Sequence, residues 1–390
     1  MYLGCFGSGL GHATRMLEIA AQLVQDGNVV RFSSSGEVAD YIRARSYECN
    51  KLPLADVKYG EDGGMSLKAT MVGSPQILGR TYRQLYMELG NIKRFRPDVV
   101  LSDSSVATVF AARTLKIKVY TIINQLNLAA PKTSRKVGAA ILSGGTTAGL
   151  SKIWELSDSI LIPDLPPPYT ISEASLWGGG YRNVRYVGFL HGNEGAQQDA
   201  TSAAFESDPR PKVFWQVSGP PQTRAVMVKA GEAIARALGE HYVFVITEGN
   251  PAGARSPASY KWGWRFGWCD SPQAYLDACD VLVSRAGHGS IARAITASKP
   301  SLLVPIPNQT EQAGNAAKAS KLGVSITIPQ EKLGIASVRT AVEALRSGPY
   351  LSRVRSMGRI AARFDATKTI VSLVEGKEVS DGASTRTVLR

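Results

Sequence analysis

Two short glycine loops constrain this chain more than any other feature. Gly7-Ser8-Gly9-Leu10-Gly11-His12 lies near the start, and Ser284-Arg285-Ala286-Gly287-His288-Gly289-Ser290 lies in the second half. Each follows an apolar, strand-like run and opens a helix-like one. In that setting backbone N–H groups and a helix N-terminus hold phosphate well. Two such loops on two similar halves predict a pair of α/β domains facing each other across a cleft.

Periodicity supports that division. After the first loop Met16, Leu17, Ile19, Ala20, Leu23 and Val24 recur at helical spacing, Asp26-Gly27-Asn28 stops the run, and Val29 to Phe32 resumes as a strand. This is a βαβ unit, hence a parallel sheet. Further strands are predicted at 99–102, 119–123, 159–162 and 184–187. The pattern restarts with a strand at 213–217, a Ser218-Gly219-Pro220-Pro221 turn and a helix through Val226, Ala230, Ile234 and Ala237. Strands are then expected at 243–246, 281–284, 301–304 and 324–328. The expected fold class is α/β, with two doubly wound, Rossmann-like domains: 1–190, a polar linker over 191–210, then 211–375 and a polar tail over 376–390. A late helix over 351–374 is expected to pack back on the first domain.

The length of 390 residues exceeds one ordinary core and fits two. No apolar run approaches the ~18–20 residues of a spanning helix, and Met1 leads into Tyr2-Leu3-Gly4-Cys5-Phe6 without a basic leader or cleavage site. A cytoplasmic location is therefore expected. Cys5, Cys49, Cys269 and Cys279 form no CxxC pair and no ligand cluster with the four histidines, so reduced thiols are expected and neither a metal nor a cofactor is predicted. Of the formal charge of +13, most lies between Ser66 and Lys152, where thirteen basic residues face three acidic ones.

The residues Gly7 to Arg15, together with Val283 to Ser290, resemble the MurG-type, family 28 glycosyltransferases of the GT-B fold, especially archaeal members related to the eukaryotic Alg-type enzyme. The same resemblance takes in Val217-Ser218-Gly219, Trp268 to Gln273, Lys299-Pro300, Val304 to Gln312 and Asn315. It implies an inverting, metal-independent transfer of a sugar, N-acetylglucosamine above all, from a UDP-sugar to a polyprenyl or dolichyl phosphate or pyrophosphate acceptor. On that basis His12 is the first candidate for general base, because an imidazole titrating near neutrality takes up a hydroxyl proton readily. Asp103, after the 99–102 strand, is the second. Ser218, Gly219, Gly287, His288, Gly289 and Ser290 are assigned to the donor diphosphate, Gln309, Glu311 and Gln312 to its sugar, Trp268 to the uracil ring, and Gly9, Gly11 and Arg285 to the donor without a finer role. Fixed donors of this kind stabilise the charge that grows on departing UDP.

One position departs from the family. Where members usually place a ribose-binding glutamate, Arg293 stands, and a guanidinium has no acceptor for a diol. That substitution leaves open a catalytically weak UDP-binding or scaffold subunit; the same-fold alternative, a UDP-sugar 2-epimerase, needs acidic acid/base groups around the sugar that the sequence does not clearly offer. The basic stretch is interleaved with apolar segments at 76–79 and 137–142, which predicts docking on the cytoplasmic face of an anionic membrane. A homodimer is left open, and no zinc spacing, helix-turn-helix or RNA-binding signature points to nucleic acid.

Overall fold

Strands buried on both faces read as continuous hydrophobic runs, and each run predicted as a strand overlaps one. The computed structural model describes residues 1–55, 74–126, 152–176, 181–191, 197–377 and 385–389. They form two units, one holding the described residues up to 191 together with those from 363 onward, the other those from 197 to 362.

The first unit runs β1 (Tyr2–Cys5), α1 (Leu10–Gln25), β2 (Arg31–Ser35), α2 (Gly36–Arg43), β3 (Cys49–Leu52), α3 (Ser74–Phe95), β4 (Val99–Asp103), α4 (Val106–Thr114), β5 (Lys118–Ile122), β6 (Ser159–Ile162), α5 (Glu173–Leu176) and β7 (Tyr181–Tyr186). The second runs α6 (Ala200–Ser207), β8 (Lys212–Gln216), α7 (Pro221–Leu238), β9 (Val243–Thr247), β10 (Ala258–Tyr260), β11 (Gly263–Phe266), α8 (Pro272–Ala278), β12 (Val281–Ser284), α9 (His288–Thr296), β13 (Ser301–Leu303), α10 (Thr310–Lys321), β14 (Ser325–Thr327), α11 (Ile335–Leu345) and α12 (Gly348–Ala361). The chain then returns to the first unit with α13 (Ala366–Val374) and β15 (Thr385–Leu389).

Both sheets share one winding. The first is ordered β3-β2-β1-β4-β5-β6-β7-β15, parallel except for β15 on β7. The second is ordered β10-β11-β9-β8-β12-β13-β14, parallel except for the β10 edge. The strand order reverses between β1 and β4 in one sheet and between β8 and β12 in the other, and in open α/β sheets ligands bind beyond the carboxyl ends of strands at such a switch point. Each glycine loop leaves a strand that flanks one of these points. Separate cores support the sheets, one around Tyr2, Val100, Val119 and Tyr186 and the other around Trp215, Phe244, Val283 and Leu302.

Four expectations need correction. The second strand is 31–35 rather than 29–32: Val29 is exposed, whereas Ser33 and Ser34 are buried because they donate to Glu88 and to the Cys5 carbonyl. The span expected as a linker contains α6, started by a reciprocal capping box between Asp199 and Ser202. The helix expected over 351–374 is two helices; Asp365 caps the second by accepting from the Lys368 N–H. That second helix, α13, packs on α1, held by Thr367 donating to Glu18 and by Asn28 donating to Glu375. The tail supplies β15, which covers the edge of β7.

Candidate active site

At the first switch point the loop after β1 is shaped by three different glycine requirements. A Cβ on Gly7 would lie 1.8 Å from Ser35 Oγ, so Gly7 is needed for packing. Gly9 has φ +83°, a left-handed conformation that caps the entry to α1. Gly11 faces open space, where a side-chain Cβ would meet no described atom within 4 Å.

His12 sits on the first turn of α1 with 22% of its side chain exposed, its ring edge-on to Phe6. Its Nδ1 lies 2.9 Å from Asp103 Oδ1 and 2.9 Å from Arg15 Nη2. Arg15, one turn further along α1, donates from Nε and Nη2 to the two carboxylate oxygens of Asp103. Asp103 ends β4 and is fully buried; Ser104, at φ +56°, turns the chain away behind it. Burial pushes the Asp103 carboxyl upward, but Arg15 and His12 outweigh that and hold it well below the usual carboxylate range.

These contacts separate the two base candidates. Asp103 is ionised, enclosed and bonded through both oxygens by Arg15, which leaves it no exposed face for a substrate. His12 Nδ1 has a choice of roles: donating to Asp103 leaves the lone pair on Nε2, while accepting from Arg15 puts the proton on Nε2. The first tautomer is the one able to take a proton from a substrate, and the adjacent carboxylate favours it, as in other carboxylate–imidazole couples. Arg15 stands in the quoted motif, yet nothing local in the sequence foretells its partner 88 residues away.

The second switch point is built differently. Ser218 and Gly219 connect β8 to α7; Gly219 has φ +102° and its missing Cβ would lie 2.7 Å from Thr223 Oγ1. The loop after β12 leads into α9, capped by Gly287, and a Cβ on either Gly287 or Gly289 would meet no described atom within 4 Å. Ser290 N–H and Ile291 N–H bond back to the Gly287 carbonyl, within the helix's own first turn. The result is a helix N-terminus with open approach to its backbone, suited to an anion.

Several side chains expected at the donor face inward. Arg285 is fully buried and binds carbonyls of Val304, Pro305 and Thr223 and the side chain of Gln330, so it does not reach a ligand. His288 opens α9 but is buried, leaving backbone rather than imidazole at the opening. Trp268 is buried with its indole N–H on Asp270, which leaves little ring for a base to stack on. Gln312 is buried and accepts from the Ile306 N–H, bracing the turn at Asn308, whose φ is +63°. Ser218, Gln309 and Glu311 remain partly exposed. Asn315, to which the sequence alone attached no role, is buried on α10 and ties it to the loop by donating to the Ala286 carbonyl.

Residues 243–366 match the glycosyltransferase family 28 C-terminal domain, and residues 1–140 match glycosyl transferase family 1. An uncharacterized glycosyltransferase of Methanosarcina mazei is 26% identical over 96% of this chain and 98% of its own. The UDP-N-acetylglucosamine–N-acetylmuramyl-(pentapeptide) pyrophosphoryl-undecaprenol N-acetylglucosamine transferase of Rhodopseudomonas palustris is 33% identical over 26% of this chain and 28% of its own. Among solved structures, the Streptomyces sp. SF2575 glycosyltransferase SsfS6, complexed with thymidine diphosphate, superposes with a TM-score of 0.65 at 18% identity, over 96% of this chain and 99% of that one.

Two Rossmann-like units with open loops at their switch points, matched along the whole chain in this way, define a glycosyltransferase of the GT-B fold. Within that class, residues 243–366 are similar to the family 28 C-terminal domain.

Proposed function

We propose that the protein transfers N-acetylglucosamine from its UDP conjugate to a lipid-linked polyprenyl or dolichyl phosphate or pyrophosphate acceptor, by direct inverting displacement and without a metal ion. The observation that carries the chemistry is the His12–Asp103 couple, one nitrogen of a partly open imidazole fixed by a buried carboxylate. In this reading Asp103 holds the tautomer and Nε2 takes the proton of the acceptor hydroxyl as its oxygen attacks the anomeric carbon. The bond from that carbon to the diphosphate oxygen breaks, and the charge released onto UDP is met by the N-terminus of α9 and the Ser218-Gly219 turn. The choice of UDP and of a lipid-linked acceptor draws on the partial similarity to the Rhodopseudomonas enzyme, while the SsfS6 complex supports a nucleoside diphosphate more generally.

The acceptor side is supported by α3. Leu78, Tyr82 and Tyr86 recur at a spacing of four along this helix and are 70%, 75% and 75% exposed. Arg80, Arg83, Lys93 and Arg94 are exposed on the same helix. Aromatic and aliphatic groups flanked by cations fit an anionic bilayer, where each nearby base contributes about 1 kcal/mol. No helix among the described residues is long and apolar enough to cross a membrane. The apolar segment at 137–142, with Lys68, Lys132, Arg135 and Lys136, lies outside the described residues.

The test is release of UDP from a panel of UDP-sugars, with a short-chain polyprenyl-pyrophosphate sugar as acceptor and EDTA present. Acceptor-dependent release that persists in EDTA and collapses in His12→Ala is expected. Binding of UDP with no donor consumed would instead favour the scaffold reading, in which Arg293 on α9 replaces a ribose-binding carboxylate. Flotation with anionic vesicles, lost in Tyr82→Ser/Tyr86→Ser, checks the membrane surface.

A further inference from the structure

Arg285 presents a problem that its hydrogen bonds do not solve. The guanidinium is fully buried, and its four bonds go to neutral oxygens: Gln330 Oε1 at 2.7 Å, the Thr223 carbonyl at 3.1 Å, and the Val304 and Pro305 carbonyls at 3.3 and 3.4 Å. Its Nε has no partner, and no carboxylate among the described residues pairs with it. Burial lowers its pKa only to about 10, so it is charged at neutral pH. A buried ion without a counter-charge is strongly unfavourable, and folds ordinarily pair or avoid one.

Its position gives the charge a use. Arg285 stands two residues before Gly287, the cap of α9. The oxygens it binds belong to the first turn of α7, to the segment after β13 and to the short helical turn Gln330–Lys332. The first two of these segments, with its own loop, are the backbone that surrounds the opening before α9. Asn315 on α10, 1% exposed, likewise has a side-chain oxygen without a partner against this loop. The opening itself is lined by glycines with free space above them.

We propose that Arg285 is the standing counter-charge of the donor diphosphate, acting through the field from beneath the loop and not by contact. This rests on the reading of the α9 opening as the diphosphate site. The empty protein keeps an unbalanced cation, and the incoming anion balances it. The same field favours the leaving group as its negative charge grows, so Arg285 raises donor affinity and stabilises departing UDP without touching either.

The experiment measures the affinity of the whole protein for UDP, UMP and uridine by calorimetry, alongside thermal melting, in wild type, Arg285→Gln and Gln330→Glu. The second variant places a carboxylate on the guanidinium while leaving its hydrogen bonds in place. Both variants are expected to weaken UDP binding about tenfold, UMP about threefold and uridine less than about twofold, as a charge acting at a distance requires. Gln330→Glu is expected at the same time to raise the melting temperature by about 2–4 °C, because it pairs a buried ion. A structural brace would give the opposite coupling, with the more stable variant binding UDP as well or better. Equal losses for UDP and uridine, or unchanged UDP affinity in Gln330→Glu, overturn the proposal alone. Failure of the wild type to bind UDP overturns the reading of the site and this inference with it.

Discussion

The two glycine loops use the same kinds of residue and balance charge in opposite ways. Each opens a helix with a histidine and has a buried arginine within three residues of it. In the first unit the arginine is neutralised: Arg15 grips both oxygens of Asp103, and the histidine beside them remains partly open. In the second the arginine has only neutral acceptors, and the histidine is buried. A group that moves a proton needs a fixed tautomer and a locally balanced charge. A site that binds a dianion gains from a positive potential left standing. In the proposed reading the two loops, which leave strands on opposite sides of their sheets' switch points, β1 in one and β12 in the other, serve different halves of one transfer.

Several substitutions break or sharpen this contrast. The largest effect is expected at His12: alanine there lowers turnover about 10²–10⁴-fold while UDP affinity, read by calorimetry, stays within about twofold. Next come the arginines. Arg15→Gln takes the cation from buried Asp103 and leaves it only His12 and Ser104, and is expected to cost about 3–5 kcal/mol in urea unfolding. Arg285→Gln removes an ion that had no partner and is expected to cost about 1 kcal/mol or less, so the two chemically identical changes separate cleanly.

The glycines give a smaller contrast. Gly9→Ala forces a side chain into a left-handed conformation and is expected to cost about 1–2 kcal/mol. Gly287→Ala, at φ −65° with open space above it, leaves the melting temperature unchanged and weakens UDP binding by obstructing approach to the backbone.

The smallest effect concerns pH and two buried carboxyls of the first unit. Asp103 titrates below its unfolded value, so its ion pair stabilises fully above about pH 4 and is lost as pH falls further. Glu88 is the reverse. It is enclosed with Tyr2, Ser33 and Thr108, and burial raises its pKa above 4.5 despite the hydroxyls that donate to it. The folded state therefore holds a proton that the unfolded state releases, and stability declines as pH rises past about 4.5. Glu88→Gln is expected to flatten that decline in melts from about pH 4 to 8, leave the acid limb in place, and shift stability at neutral pH by under about 1 kcal/mol.

Legibility followed the physics of each element. Parallel strands such as β4, β6, β8 and β12 carry uninterrupted apolar residues and could be read to within a residue or two. The strands β3, β10 and β15 lie at sheet edges, where one side needs no apolar cover, and left no signal. In β2 the buried residues are serines whose partners lie on other elements, so the apolar run pointed two residues too early. His12, Asp103 and both glycine loops were visible because turn chemistry and strand ends are local. The bond from Arg15 to Asp103 was not, since it depends on β1 and β4 lying side by side. The inward turn of Arg285 and Gln312 was hidden for a related reason: long polar side chains are ordinarily surface residues, and only the folded loop shows which carbonyls they serve.

The division of labour between the loops is tested most directly by measuring turnover and UDP affinity side by side in His12→Ala and Gly289→Val. The account predicts that His12→Ala binds UDP normally and does not turn over, while Gly289→Val folds with an unchanged melting temperature and loses UDP. Equal loss of UDP affinity in both variants, or full turnover in His12→Ala, would contradict it.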